Sequence, residues 1–167
     1  MAFEVRAAEA GEEEAIVPLY EWLFAPPGSR PGAWDERRAA VALRDAIDSH
    51  DACVLVAEEK NLPPASSASR PGAAGSAEGR LIGICTAYQD IHSVRFGDRA
   101  WVEDLAVHPD RRSRGVGRAL LGAARDWARE RGATHLELDS AEARADAHRF
   151  YEREGAAYKE ISFGWEL

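Results

Sequence analysis

The sequence predicts an α/β (α+β) fold in which helices flank a central sheet within a single domain. Strand-like and helix-like hydrophobic patterns follow one another along the chain in the order β-α-α-β-β-β-α-β-α-β. A loop with two glycines joins one of these strands to an amphipathic helix. The length of 167 residues suits one domain that buries about two-thirds of its unfolded-chain surface, and no internal repeat is evident.

The first four predicted elements are two strands that enclose two helices. Phe3 to Ala7 alternates apolar and polar residues, as a half-buried strand does, and Ala52 to Ala57 is an apolar strand. Apolar residues at helical spacing and acids in the first turn predict a helix from Glu12 to Phe24, which the following Pro-Pro-Gly ends. A second helix is predicted from Trp34 to Ile47.

The segment 61–79 is rich in Pro, Ser, Ala and Gly, which predicts a flexible loop between strands. It is long for a connection within one domain. Two interpretations stay open. The segment is either an insert that joins two hairpin strands or a lid on the substrate side.

The second half of the chain shows three strands before its last helix and one strand after it. In order, the predicted elements are strand Leu81–Tyr88, a polar turn region over 90–98, strand Trp101–Val107, a helix from Val116 to near Gly132, strand Thr134–Leu138, a helix over 143–154 that Gly155 closes, and strand Ile161–Leu167.

The formal net charge of −8 argues against a nucleic-acid or anionic-membrane partner, because both need a basic surface. It weakly favours a cationic substrate such as an amine. No apolar run approaches membrane-spanning length, and the acidic N-terminus does not resemble a signal peptide, so we expect a cytoplasmic protein.

The residues that often bind metals or form disulfides show no such pattern here. Cys53 and Cys85 each lie within an apolar run, which predicts buried free thiols. The five histidines have no metal-ligand spacing, so no metal site is expected.

The loop Arg112-Ser113-Arg114-Gly115-Val116-Gly117 is the most informative segment of the chain. Its glycines let backbone N–H groups converge without interference from Cβ atoms, and the following helix adds the positive end of its dipole. The loop therefore predicts a pyrophosphate site.

Three other interpretations of the loop compete with this one. A P-loop would need Gly-Lys followed by Ser or Thr, but Arg118 follows the second glycine. A dinucleotide fingerprint would need a third glycine where Leu120 stands, although Glu137 imitates the acid of that motif. The last alternative is a glycine-rich helix start that binds no ligand.

The loop also resembles the acyl-CoA signature of the GCN5-related N-acetyltransferase (GNAT) family, which reads Arg or Gln, two residues, Gly, one residue, and Gly or Ala. Three neighbouring features resemble the same family: VEDLAV before His-Pro, LELDS after the helix, and AHRFYEREG at 147–155. Arg144 departs from the pattern, because many members carry Asn there. By motif, the resemblance covers about 101–155.

The resemblance implies a single N-acetyltransferase domain over 1–167, with a mixed central sheet whose parallel strands splay apart. Acetyl-CoA would lie in the opening beyond Val107 and Leu138. Its pantetheine amides would pair with one strand's backbone, and its pyrophosphate would lie against the loop, where three arginines add charge. The implied cofactor-binding residues are Leu105, Ala106, Val107, Arg112, Ser113, Arg114, Gly115, Val116, Gly117 and Arg118.

The resemblance also implies catalytic roles for an acid and a tyrosine. The attacking amine must lose a proton, and Glu103 is the base that the resemblance favours. On a regular strand Glu103 and Asp104 point to opposite faces, so at most one faces the cleft unless a bulge intervenes. Tyr151 would be the general acid toward the thiolate, and a backbone N–H near Leu105 would stabilise the oxyanion.

The implied function is acetyl-CoA-dependent acetylation of a primary amine on a small molecule, such as a polyamine, an aminoglycoside or an amino-acid-like compound. Two alternatives stay open: a non-catalytic acyl-CoA sensor, and an acetyltransferase for protein or peptide amines. Trp22 and Trp34 flank the Pro-rich loop that lines the acceptor site in relatives. Besides the amine acceptor, a second copy of the chain, forming a homodimer, is a partner that the sequence leaves open.

Overall fold

A computed structural model describes residues 2–60 and 79–165. In chain order, its elements are β1 Phe3–Ala7, α1 Glu13–Ile16, a 3₁₀ helix Val17–Tyr20, α2 Glu21–Phe24, α3 Glu36–Asp48, β2 Ala52–Lys60, β3 Gly79–Gln89, β4 Arg99–Val107, a 3₁₀ turn Pro109–Arg111, α4 Val116–Glu130, β5 His135–Glu137 and α5 Ala145–Arg153. The loop predicted over 61–79 lies outside the described residues, except for Gly79, which is the first residue of β3.

The five strands form one mixed sheet in the order β1-β2-β3-β4-β5. β1 to β4 pair antiparallel, whereas β4 and β5 pair parallel from Arg99↔His135 to Trp101↔Glu137. β4 continues beside β3 as far as Val107, but β5 ends. The parallel strands therefore part, and the predicted mixed sheet with splayed strands is confirmed.

Helices cover both faces of this sheet. α4 packs on one face, and α1, the 3₁₀ helix and α3 pack on the other. β2 lies between the two layers, so every residue of β2 from Cys53 to Glu59 is buried. Cys53 and Cys85 are buried free thiols, as predicted. α4 approaches β3 so closely that a Cβ on Gly83 would lie 2.8 Å from a Leu120 methyl group.

The helix predicted from Glu12 to Phe24 is divided into three short pieces. Pro18 stands at the start of the 3₁₀ segment, between α1 and α2. Proline has no N–H to donate, and its ring clashes with the carbonyl four residues earlier, so the regular α-helical pattern stops there. The second predicted helix begins at Glu36, because the Asp35 carboxylate caps it by accepting a bond from the Arg38 N–H at 2.8 Å.

The strand predicted from Ile161 to Leu167 is absent over 161–165, and its last two residues lie outside the described part of the chain. The alternating pattern is present, but no strand of the described sheet pairs with it. Its apolar residues Ile161, Phe163 and Trp165 are about four-fifths exposed, at 83%, 78% and 81%.

Candidate active site

A cavity of about 250 Å³ opens where β4 and β5 part. The end of α2 and the loop after it form one side, while β4, the segment after β5, and α5 form the others. The lining residues are Leu23, Phe24, Ser29, Val102, Glu103, Asp104, Leu105, Leu138, Asp139, Ser140, Ala141, Arg144, Ala147 and Tyr151.

A β-bulge in β4 shapes the floor of the cavity. Thr86 pairs with Asp104, but the next residue of β3, Ala87, pairs with Val102. Glu103 is therefore an extra residue with no partner across the ladder. Bulges bend a strand and re-aim its side chains, and they are frequent beside active sites.

Side chains exchange faces across this bulge. Val102 and Leu105 both pack with the α4 core, although three positions separate them, and Ala106 belongs to the opposite core. Glu103 and Asp104 accordingly both line the cavity. On a regular strand at most one of these two acids could face the cleft. The bulge allows both to do so.

Hydrogen bonds hold the Asp104 carboxylate in place. Its Oδ2 accepts from the Tyr20 hydroxyl at 2.8 Å and from the Thr86 hydroxyl at 3.1 Å, while its own N–H donates to Thr86 Oγ1 at 3.1 Å. Burial raises the pKa of Asp104, and the two hydroxyl donors oppose that rise. Asp104 is therefore a fixed carboxylate in the lining of the cavity.

Glu103 is the uncommitted acid of the pair. It is exposed, and it makes no hydrogen bond or ion pair with any residue of 2–60 or 79–165. Partial burial raises the pKa of Glu103, and the negative charges of Asp104 and Asp139 add to that rise. A carboxylate with a raised pKa and free lone pairs is a better proton acceptor than an ordinary surface glutamate.

Tyr151 reaches the cavity from α5. Its ring packs beside Phe150, with 5.3 Å between centroids, and against the α4 core. Burial raises the pKa of Tyr151, whereas the positive charge of Arg144 lowers it. The hydroxyl makes no hydrogen bond to a described residue, so its proton is available to a ligand.

The glycine loop ends in an open helix N-terminus. Gly115 is the N-cap of α4 with φ of +85°, and no described side chain caps the helix. A Cβ on Gly115 would meet nothing within 4 Å, so the backbone conformation, rather than space, requires glycine there. Ser113 has a positive φ of 59° as well. The first-turn N–H groups of α4 are thus free to bind an anion.

The three arginines of the loop differ in their surroundings. Arg112 donates to the Val107 carbonyl at 3.4 Å. Arg118 forms an ion pair with Glu154, at the end of α5, with 2.9 Å between Nε and Oε1. Arg114 lies near enough to Glu59 for its charge to lower the pKa of that carboxyl.

Arg111 is a residue whose role the sequence did not indicate. Its guanidinium makes a two-pronged pair with the buried Glu59 carboxylate, with both N–O distances at 3.0 Å. The pair fixes the start of the loop to the end of β2. Because 52 residues separate the two partners, no local pattern could have found it.

The α2 side of the cavity is made by Leu23 and Phe24, not by the tryptophans beside them. Trp22 packs on His108, with 5.1 Å between rings, and Trp34 packs edge-on against Phe24 at 4.7 Å. Neither indole lines the cavity. Trp34 instead packs behind the lining residue Phe24.

Arg144 crosses the mouth of the cavity from α5 to α2. Its Nη2 donates to the Leu23 carbonyl at 2.7 Å. A Cβ on Gly28 would overlap that carbonyl oxygen and lie 2.5 Å from Arg144 Nη2. Glycine at position 28 is therefore needed for the loop after α2 to fold over the guanidinium.

The described residues fit acetyl-CoA and offer no metal site. β5 ends at Glu137, so beyond Trp101 one edge of β4 has no neighbouring strand among the described residues and is free to pair with an extended amide chain. The anion-binding end of α4 lies past the end of that edge. Within 2–60 and 79–165, no group of three or more His, Cys, Asp or Glu side chains could hold a metal ion. The helices described there are too short or too polar to cross a membrane.

Comparison with known proteins gives a consistent result. The model of the "Acetyltransferase (GNAT) family" matches residues 16–156. The uncharacterized N-acetyltransferase YhfO of Bacillus subtilis (strain 168) is 28% identical over 90% of this chain and 87% of its own length. The streptothricin acetyltransferase of Streptomyces lavendulae is 38% identical over 54% of this chain, but the match spans only 46% of that enzyme.

Solved structures show the same fold at low identity. The aminoglycoside acetyltransferase AAC(6')-Iy, solved with a bisubstrate analogue of CoA and acetylneamine, superposes with a TM-score of 0.75. The comparison covers 100% of this chain and 99% of that one, at 16% identity.

Proposed function

Because the chain belongs to the GNAT family of acetyltransferases, we propose that it transfers an acetyl group from acetyl-CoA to a primary amine of a small molecule. One observation carries the proposal. The bulged acids of β4 and the Tyr151 side chain line one cavity, and the anion-binding loop follows directly after β4. This arrangement supports a proposed base, a proposed acid and a proposed cofactor site along one cleft.

In this proposal, backbone groups hold most of the cofactor. The free edge of β4 at Leu105, Ala106 and Val107 pairs with the pantetheine amides. The loop 112–118 holds the pyrophosphate through its N–H groups, with charge from Arg112, Arg114 and Arg118. This assignment includes Ser113, Gly115, Val116 and Gly117 through their backbone.

Glu103 is the proposed base, acting directly or through a water. Its lone pairs are uncommitted, whereas Asp104 already accepts two hydroxyl hydrogen bonds. The amine loses its proton toward Glu103 and attacks the thioester carbonyl, while the Leu105 N–H stabilises the negative oxygen. Tyr151 then donates its proton to the departing thiolate.

The relatives support a small-molecule acceptor. One similar enzyme is named for streptothricin, and a structural neighbour was solved with an acetylneamine analogue. We keep polyamines, aminoglycosides and amino-acid-like amines as the candidate acceptors. Two buried free thiols suit a reducing compartment, and on that basis we assign the reaction to the cytoplasm.

The proposal is tested in two steps. Calorimetric titration should show acetyl-CoA binding, and a panel of amines should then release free CoA thiol. Folded protein that binds no acetyl-CoA would refute the function. Binding without turnover on any amine, peptides included, would instead identify an acyl-CoA sensor.

The base assignment has its own test in the pH profile. Glu103→Gln should lower kcat most at acidic and neutral pH, and the gap should narrow at high pH, where the amine is already neutral. If only the KM for a cationic amine rises, Glu103 is a binding charge and not a base.

We also propose a homodimer. Ile161, Phe163 and Trp165 alternate along an exposed segment that no described strand pairs with, and a second copy of this segment would provide a strand partner. Sedimentation should show a dimer that Phe163→Lys weakens. Val94→Lys, at an even more exposed apolar position elsewhere, should leave the dimer intact.

A further inference from the structure

Two charged side chains that line the cavity, Glu103 and Arg144, can form more hydrogen bonds than they make with the described residues. Glu103 has no hydrogen-bond partner among the described residues. Arg144 commits only Nη2, to the Leu23 carbonyl, so its remaining N–H groups have no acceptor in 2–60 or 79–165. Of the other cavity carboxylates, Asp104 accepts from two hydroxyls, and Asp139 accepts one bond, from the Ser162 hydroxyl at 3.1 Å.

Contacts with the turn at 25–28 and with Leu23 fix the position of the Arg144 side chain. The turn at 25–28 folds over the guanidinium, with the Gly28 N–H bonded to the Ala25 carbonyl at 2.9 Å. Gly28 has no Cβ to occupy the space that Arg144 fills. The Leu23 bond then holds the guanidinium at the mouth of the cavity, so little side-chain entropy remains to be lost when a ligand binds.

We propose that Arg144 binds a carboxylate of the acceptor, so that the acceptor is an amine that carries its own acid group. This inference rests on the proposed function and narrows its substrate class. The amine of such a molecule lies toward Glu103, and its carboxylate lies toward Arg144, which offers paired N–H donors in a rigid fork.

The Arg144 guanidinium distinguishes among the candidate acceptors, although the carboxylates of Glu103, Asp104 and Asp139 also line the cavity. A second ammonium group placed beside the guanidinium, as the far end of a diamine in this pose would be, is repelled by its like charge. An uncharged tail would leave the remaining Arg144 donors without an acceptor in a partly buried site. An acidic amine satisfies both unused groups with one molecule.

The test compares each acid with its own amide. The probes are alanine, β-alanine and 4-aminobutyrate, their three carboxamides, and 1,4-diaminobutane. We expect kcat/KM to be about 10–100-fold higher for the best acid than for its amide, the range for a hydrogen bond to a charged group. Arg144→Gln should reduce that ratio to near one, mainly through KM, with the Kd for acetyl-CoA unchanged.

Two further variants guard against a folding artefact. Arg149→Gln removes an exposed arginine of α5 that pairs with Asp146, and it should keep the full preference for the acid. Arg144→Lys keeps the charge but not the fork, and it should retain part of the preference.

The outcomes separate this inference from the function on which it rests. Turnover of amides or the diamine at rates equal to the acids, or a preference that survives Arg144→Gln, overturns the role of Arg144 and leaves the acetyltransferase proposal intact. No acetyl-CoA binding overturns both.

Discussion

The two walls of the cleft differ in the groups that form them, which are backbone groups in one wall and side chains in the other. The proposed cofactor wall, residues 105–107 and 112–118, consists of strand-edge and helix-terminus backbone within one short stretch of chain. The acceptor wall is made of side chains from distant segments: Tyr20 reaches Asp104 across 84 residues, and Arg144 reaches Leu23 across 121.

This difference predicts how the two walls respond to substitution. A backbone site tolerates changes of side chain, unless the new side chain alters φ or places charge against the ligand. A side-chain site responds to the loss of a single hydroxyl. The predictions below test that contrast, from the largest expected effect to the smallest.

Tyr151→Phe should have the largest effect. The change keeps the packed ring and removes a hydroxyl that bonds to no described residue, so stability should hardly change. The value of kcat should fall about 10²–10⁴-fold, the usual contribution of a general acid, with the Kd for acetyl-CoA unchanged. Steady-state kinetics and calorimetry measure the two quantities. Turnover at the parental rate would mean that Tyr151 only packs.

Gly115→Glu should weaken acetyl-CoA binding by about 100-fold or more, because a carboxylate would face the pyrophosphate and like charges cost several kcal/mol. Gly115→Ala is the matched control. It carries the same left-handed strain, about 1–2 kcal/mol, without the charge. If both variants bind acetyl-CoA equally well, the loop is not the pyrophosphate site.

Tyr20→Phe should lower the free energy of unfolding by about 1–3 kcal/mol at pH 7, because it leaves the partly buried Asp104 carboxylate short of a donor. The Tyr20 bond lowers the pKa of Asp104, so it stabilises the ionised form. The loss should therefore shrink as pH falls through the Asp104 pKa. Urea unfolding at several pH values measures it. Tyr158→Phe, at a half-exposed tyrosine bonded to Glu137, should cost less.

In its effect on stability, Glu103→Gln should give the smallest change of this series, a rise in the thermal midpoint at pH 7. The pKa of Glu103 is raised in the folded protein, so folding favours its protonated form. Stability then falls as pH rises from the unfolded-state pKa through the folded one. The thermal midpoint of the variant should be higher than that of the parent at pH 7 and equal to it below about pH 4. Glu142→Gln, an exposed control, should show neither change.

The backbone geometry of the proposed cofactor wall was predictable from the sequence, because its information is local. Two glycines and a following amphipathic helix predict an uncapped helix N-terminus without knowledge of the rest of the chain, and its role as the pyrophosphate site stays a prediction. The alternation of strands and helices as far as α5 was predictable from the hydrophobic period, which acts along short segments. The parting of the parallel strands was implied by the family resemblance.

The acceptor wall was not predictable in the same way. The Arg144–Leu23 bond and the Arg111–Glu59 pair join residues that no spacing rule connects. The bulge depends on the register between two strands, which sequence alone does not fix. The break at Pro18 was available from the sequence, but the strong apolar period around it favoured one continuous helix.

The bulge has a consequence for insertions and deletions. Losing one residue from a central strand normally turns every later side chain to the wrong face. Here Val102 and Asp104 already pair with the adjacent residues Ala87 and Thr86, so removal of Glu103 would join them into a regular ladder with every remaining side chain still facing its present layer. β4 thus carries one residue that its packing does not need, and a chain shortened by that residue should fold at least as well while lacking the proposed base. Insertion or deletion of one codon could therefore add or remove the proposed base without changing the packing of the core.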